Sequence, residues 1–206
     1  MNALTHLFHI ISSSLLIPTE LALLIALAFT LYNLGEVTRE RLSRRRGSKF
    51  LRDVESYLER RDWNATTSAL ANAPRLRVAT QLATLATLRD DDALLDKRLA
   101  EFEIEAKLRC GRSERLAKMG PALGLMGTLI PMGPALLGLS QGDLASLATN
   151  LVVAFSTTVV GLLIALTASW NASTQKLWAS RDFALLNFAV ERALESRATS
   201  SEDDAK

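Results

Sequence analysis

The chain has 206 residues, of which 24 are basic and 22 acidic, and its net charge of +2 conceals a strong segregation of charge. No Lys or Arg occurs in residues 1–38 or 119–175, so every basic residue falls in the blocks 39–118 and 176–206. Acidic residues are about as frequent as basic ones in these blocks, which argues against nucleic-acid binding. The single cysteine, Cys110, excludes an intrachain disulfide and a thiolate metal cluster. No nucleotide-binding, zinc-binding or nucleophile motif indicates an enzyme.

The chain begins with a surface segment that is followed by an apolar run. Residues 1–16 carry apolar side chains at helical spacing and are predicted to lie along the outer membrane surface. Residues 17–38 contain the sequence LALLIALAFTLYNL and are long enough to cross a bilayer core. The basic cluster RERLSRRR follows this run, whereas a signal peptide has its basic residues first. We therefore expect a transmembrane helix with its N-terminus outside and its C-terminal end in the cytoplasm.

Residues 39–115 are too charged to enter lipid and are predicted to form a cytoplasmic helical region. The sequence FLRDVESYLERRDWNATTSALANAP predicts two short helices, with a turn around residues 62–64 and an end at Pro74. From Leu76 onward, apolar residues at helical spacing predict an amphipathic helix that runs toward the next span. The charge run RDDD at residues 89–92 indicates either a solvated face or a local break.

Two further apolar runs, residues 116–139 and 144–170, are predicted to be the second and third transmembrane helices. The hairpin between them, residues 140–143, carries one Asp and no basic residue, so the positive-inside rule places it outside. Residues 171–206 are predicted to form a cytoplasmic amphipathic helix and a disordered tail, ATSSEDDAK. The expected fold is an all-α membrane protein with three transmembrane helices and long cytoplasmic helical extensions.

The second span is rich in small residues and prolines that recur every three or four positions along one helical face. They are Gly120, Gly124, Gly127, Thr128, Pro131, Pro134, Ala135 and Gly138. Small faces let membrane helices approach closely. We assign Gly120, Gly124, Gly127 and Pro131, with Gly161 of the third span, to helix packing and expect a homo-oligomer.

The third span carries a polar stripe. The residues on one side of this helix are Asn150, Ala154, Thr157 or Thr158, Gly161 and Ala165, and Ser156 lies nearby. Polar groups within a bilayer face a bundle or a wet cavity, so the stripe indicates either pore or partner lining, or simple helix packing. Between Lys118 and Lys176 the only ionisable side chain is Asp143, in the hairpin. Spans two and three therefore hold no carboxylate relay of their own.

The sequences GPALGLMGTLIPMG and FSTTVVGLLIAL together resemble the MotA/TolQ/ExbB proton channel family. The matching positions are Gly124, Leu125, Gly127, Thr128, Thr158, Gly161 and Leu162. Three spans rather than four make the chain more similar to TolQ and ExbB than to the flagellar stator subunit. Val153 stands five residues before Thr158, where the transport-energising members commonly have Glu.

The resemblance implies a proton channel subunit, in the inner membrane, of a complex that uses the proton motive force to do work in the outer compartment. It implies a pentamer around a dimer of a single-span ExbD/TolR-like partner that bears a membrane Asp. Thr128 and Thr158 would face that Asp, and Thr157, Ser156 and Asn150 would complete the ion path. It implies no cofactor and no metal, and it leaves protons and sodium ions both open. A non-conducting membrane scaffold is the alternative.

Overall fold

The computed structural model describes residue 7 and residues 14–73, 76–88 and 91–203. Within residues 14–203, the described residues form five helices that follow one another and no strand. They are α1 (Leu16–Glu59), α2 (Trp63–Ala71), α3 (Arg77–Thr87), α4 (Asp92–Ser140) and α5 (Leu144–Asp203). The all-α fold class predicted from the sequence is confirmed. The outer surface segment predicted for residues 1–16 lies almost entirely outside the described residues.

Three of the helices are long and apolar enough to cross a membrane. The spans lie within Leu16–Arg46, Asp92–Ser140 and Leu144–Ser196, each of which contains an 18-residue stretch with a mean hydropathy of 1.6, 1.6 and 2.3, respectively. Large apolar side chains on these helices are exposed, among them Ile25 and Leu166 at 68% and 71%. Such exposure on a soluble helix would be costly in water, whereas a lipid environment accommodates it. The prediction of three transmembrane helices is confirmed.

The helical extensions differ from the prediction in where they break. Residues 50–59 form no separate short helix, because α1 continues without interruption from the first span to Glu59. The break falls at residues 60–62, where Arg61 has a φ of 59° and the Asp62 carboxylate caps α2 by accepting a hydrogen bond from the Ala65 N–H at 2.9 Å. A second break separates α3 from α4 at the predicted RDDD run, where the Asp91 carboxylate accepts from the Leu94 N–H at 3.0 Å.

The C-terminal tail is helical where we expected disorder. Helix α5 extends to Asp203, so it includes residues 198–203 of the predicted disordered tail, while residues 204–206 lie outside the described part. No Gly or Pro occurs after Gly161. Because those are the residues that most strongly interrupt helices, the polar composition of the tail is not enough to end α5.

The chain divides into two compact units. The membrane unit comprises Met1–Gly35 and Gly111–Ser173, and the charged unit comprises Glu36–Cys110 and Thr174–Lys206. The core of the charged unit is a cluster of buried apolar side chains supplied by all five helices. Its members include Val54, Leu58, Leu70, Val78, Leu82, Leu85, Leu95, Phe102, Leu186 and Val190.

A buried ion pair joins α1 and α5 within the charged unit. The Arg44 guanidinium donates two hydrogen bonds to the Asp182 carboxylate, one of them from Nη1 to Oδ1 at 2.8 Å, and it also donates to Glu40 at 3.0 and 3.2 Å. Its Cζ lies 4.9 Å from the ring centroid of Trp178. Burial alone would lower the pKa of Arg44, but the hydrogen bond and charge of Asp182, with Glu40, raise it above the usual value. Arg109 differs, since burial and the charge of Arg77 lower its pKa.

Candidate ion-path surface on the α4–α5 hairpin

Helices α4 and α5 form an antiparallel hairpin because only residues 141–143 connect them. Gly142 adopts a φ of 77°, a left-handed conformation that glycine takes without steric cost. The Asp143 carboxylate then accepts a hydrogen bond from the Ser146 N–H at 2.9 Å and caps the start of α5.

The two helices of the hairpin touch through their glycines. A Cβ placed on Gly161 would lie 2.7 Å from the Gly120 carbonyl oxygen and 2.8 Å from the Gly124 Cα. A Cβ on Gly127 would lie 2.5 Å from the Thr157 Oγ1, so that side chain fills the space above Gly127. Contacts of this kind between membrane helices require residues without a side chain.

The small face of α4 therefore closes on α5 of the same chain. We had associated this face with contacts between subunits, and the described structure places Gly120, Gly124 and Gly127 against Gly161 and Thr157 instead. Pro131, farther along α4, is fully buried. A periodic pattern of small residues predicts close packing, but it does not say which helix is packed against.

The polar side chains of α5 do not form one stripe. Thr157 is buried at the α4 interface and donates to the Ala154 carbonyl at 2.9 Å, and Asn150 is half-buried and donates to the Ser146 carbonyl at 2.9 Å. Ser156 is exposed and donates to the Val152 carbonyl at 2.7 Å. At about 100° per residue, Ser156 lies far round the helix from Thr158. The structure thus separates Ser156 from the other hydroxyls.

Thr128 and Thr158 share one edge of the hairpin. Thr128 directly follows Gly127 on α4, and Thr158 directly follows Thr157 on α5, while Gly127 and Thr157 are in contact. On each helix, the threonine side chain therefore points about 100° away from the direction of the partner helix. Because the helices are antiparallel, equal rotations carry both side chains to the same side of the pair. We call these two residues the threonine edge.

Helix α1 covers the opposite edge of the hairpin. The residues that directly precede the contacting glycines, Leu123 before Gly124 and Val160 before Gly161, lie on that edge by the same rotation argument. Both pack against a cluster that contains Leu23 and Ala26 of α1. The threonine edge, with Thr128 and Thr158 half-buried, is consequently left uncovered by the helices of its own membrane unit.

The hydroxyls of the threonine edge are available as hydrogen-bond acceptors. The Thr128 hydroxyl donates to the Leu125 carbonyl at 2.8 Å, and the Thr158 hydroxyl donates to the Ala154 carbonyl at 3.2 Å. Each oxygen keeps lone pairs that accept a hydrogen bond from water or from a protonated carboxyl group. No group of three His, Cys, Asp or Glu side chains that could hold a metal occurs among the described residues.

Two polar residues that are fully buried in the membrane unit, Ser113 and Asn171, are not among the site residues predicted from the sequence. Ser113 lies in the predicted cytoplasmic region, and the predicted third span ends one residue before Asn171. The signal that could have revealed them is their helical phase, since Asn171 follows Ile164 by seven residues and Ser113 precedes Gly120 by seven. Seven residues correspond to about two turns and return a side chain to the same face.

A family of known proteins matches this chain. The profile of the MotA/TolQ/ExbB proton channel family matches residues 70–182, more than half of the chain, which include all of α4 and the part of α5 up to Asp182. A search of curated proteins finds no match. Members of the family are channel and transducer subunits of energy-transducing complexes rather than enzymes. The chain is therefore a multi-pass inner-membrane protein that belongs to the MotA/TolQ/ExbB proton channel family.

Proposed function

We propose that this chain is the proton-conducting subunit of a motor complex that uses the proton motive force to do work in the outer compartment. It would act as a homo-oligomer, a pentamer, around a single-span ExbD/TolR-like partner with an Asp in its membrane helix. The observation that carries this proposal is the threonine edge, which presents two acceptor oxygens on a face that α1 does not cover. Between Lys118 and Lys176 the only ionisable side chain is Asp143 of the connecting loop, so the titratable group within the membrane must come from elsewhere.

The threonine edge suits a carboxyl group that changes its protonation state. A protonated Asp donates its O–H to a threonine oxygen while the threonine proton stays on the helix carbonyl. After the proton leaves, rotation of the hydroxyl lets the threonine donate to the carboxylate. Thr128 and Thr158 would thus stabilise both states of the partner's Asp, which a proton carrier requires.

Replacement of the edge hydroxyls is the experiment that tests the proposal. Co-expressed with the single-span partner, the wild type should acidify the cytoplasm when an inward proton gradient is applied. Thr158→Val and Thr128→Val keep the side-chain shape and remove the acceptor. A polar contact of this kind in a membrane is worth roughly 1–2 kcal/mol, so the flux should fall about 5- to 30-fold.

Ser156→Ala is the matched control, because Ser156 makes the same kind of bond to its own helix but lies far from the threonine edge. It should conduct like the wild type, and the partner's Asp changed to Asn should abolish conduction. Repeating the measurement without sodium separates proton from sodium conduction.

The scaffold alternative has one observation in its favour. The hydroxyls predicted for the ion path each donate to a carbonyl of their own helix, namely those of Thr128, Ser156, Thr157 and Thr158. If both valine variants conduct like the wild type while the complex stays assembled, these hydroxyls serve packing only. The non-conducting scaffold would then be the better account of the chain.

We propose that the N-terminus and the loop that connects α4 to α5 lie outside and that the charged unit lies in the cytoplasm. This orientation is supported by the basic residues that flank every span on the side of the charged unit. A reporter that is active only in the periplasm should work when fused after Gly142 and stay silent when fused after Asn72. A reporter that is silent after Gly142 and active after Asn72 would show the reverse orientation. The proposed inward direction of proton flow would then be wrong.

A further inference from the structure

Among the residues of the membrane unit that the structure describes, three buried polar side-chain atoms have no hydrogen-bond partner in the protein. They are the Ser113 Oγ on α4 and the Nδ2 and Oδ1 of Asn171 on α5. Ser113 and Asn171 are 1% and 0% exposed, so bulk solvent does not reach them. Native proteins satisfy nearly all such groups, either with another protein group or with an ordered water molecule, because an unpaired buried group is strongly destabilising.

The register of the hairpin places these two residues opposite each other. Moving along α4 from Gly138 to Gly127 and then to Gly120, the contacts on α5 move from Ser146 to Thr157 and then to the turn formed by Gly161, Ile164 and Ala165, of which Ile164 is used here to count the register. The last step is seven residues on each helix, which is about two turns. The same step beyond these contacts leads from Gly120 to Ser113 on α4 and from Ile164 to Asn171 on α5.

Helix α1 bounds the same region of the membrane unit. Ala26 of α1 packs in a cluster with Ala168 of α5, and the two helices run in the same direction. Thr30 lies one turn after Ala26, much as Asn171 lies three residues after Ala168, and Thr30 is 1% exposed. Its hydroxyl donates to the Ala26 carbonyl at 2.7 Å, so its oxygen remains able to accept.

We propose that Ser113 and Asn171 bind an internal water molecule between α4 and α5. A direct bond between the two side chains would pair only one of the two amide atoms of Asn171. A water molecule has two donors and two acceptors, so it pairs the Oδ1, the Nδ2 and the Ser113 Oγ together. A cation would suit the oxygens but would face the Nδ2 with a like partial charge. The chemistry of the three atoms therefore selects a neutral ligand that both donates and accepts.

This water site follows the glycine contacts, at the end of the hairpin that is far from the connecting loop. The glycines allow close approach but provide no directional bond, whereas polar contacts specify one relative position of two helices. The bound water would therefore hold α4 and α5 in register where their glycine contacts end.

A high-resolution structure of the assembled protein in lipid nanodiscs tests the site directly. We expect a density peak about 2.7–3.2 Å from the Ser113 Oγ and from both amide atoms of Asn171. The peak should persist when sodium and potassium are replaced by choline. A direct Ser113–Asn171 bond with no peak would overturn the proposal, and so would a peak that requires sodium.

Stability measurements provide a second test, which does not depend on conduction. Asn171→Leu and Ser113→Ala should each lower the Tm by a few degrees, because each leaves the water with fewer partners. The double variant should lower the Tm by less than the two single losses combined. Ser169→Ala changes an exposed serine of α5 and should leave the Tm unchanged. An unchanged or raised Tm for Asn171→Leu would mean that nothing satisfies its amide, which contradicts a bound water.

Discussion

Replacement of Gly161 by alanine should destabilise the membrane unit more than the addition of a methyl group at any exposed glycine. The new Cβ would meet the Gly120 carbonyl oxygen at 2.7 Å and the Gly124 Cα at 2.8 Å, and both are backbone atoms that cannot rotate away. The helices must separate, which breaks the contacts along the hairpin. Overpacking typically costs 1–3 kcal/mol, and we expect about 3 kcal/mol here because no side chain can yield. Thermal unfolding in mild detergent should show a Tm lower by roughly 6–12 °C.

Gly133→Ala is the matched control for this prediction. Gly133 lies on α4 in the second span, and a Cβ there would meet nothing within 4 Å. The same methyl group should therefore leave the Tm unchanged or raise it slightly, since alanine favours the helix. Equal melting of the two variants would show that the glycine contact does not support the fold. If Gly161→Ala instead kept the Tm and lost the homo-oligomer, the small face would belong between subunits.

Asp182→Ala should destabilise the charged unit more than the removal of a carboxylate from an exposed ion pair. The carboxylate is 9% exposed and pairs with Arg44, whose side chain is 17% exposed. Removing it leaves a largely buried guanidinium with only Glu40 as a charged partner. Breaking a buried ion pair costs about 3–5 kcal/mol, and the remaining bond to Glu40 places the expected loss near 3 kcal/mol. Chemical denaturation should show a lower midpoint with an unchanged slope.

Two comparisons show whether the burial of the ion pair, and not its charge alone, causes the loss of stability. The Arg77–Glu36 pair has a bond of 2.7 Å, but its side chains are 47% and 44% exposed, so Glu36→Ala should cost less than about 1 kcal/mol. Combining Asp182→Leu with Arg44→Met should recover part of the loss, because no unpaired charge then stays buried. Equal losses for Asp182→Ala and Glu36→Ala would contradict the role given to burial.

The number of spans follows from the sequence because it depends on local composition. A helix in lipid satisfies its own backbone, so an uncharged apolar run of sufficient length is enough to specify a span. A local break at the RDDD run was one of the two structures predicted from the sequence. It could be predicted because the Asp91 cap depends only on residues close to it in the chain. The prediction of a disordered tail was wrong for residues 198–203. It relied on polar composition, which does not by itself end α5 before Asp203.

The partners of each helical face depend on the tertiary structure. Periodicity shows that Gly120 and Gly124 share a face, but only the hairpin register shows that the face meets Gly161 of the same chain. Helical phase alone separates Ser156 from Thr158, whereas only the position of α4 shows that Thr157 is buried and that Thr158 lies at an edge. The pairing of Arg44 with Asp182, which lies 138 residues away, likewise has no local signal. Sequence spacing determines which side chains share a helix face, whereas the packing of the other helices determines what that face contacts.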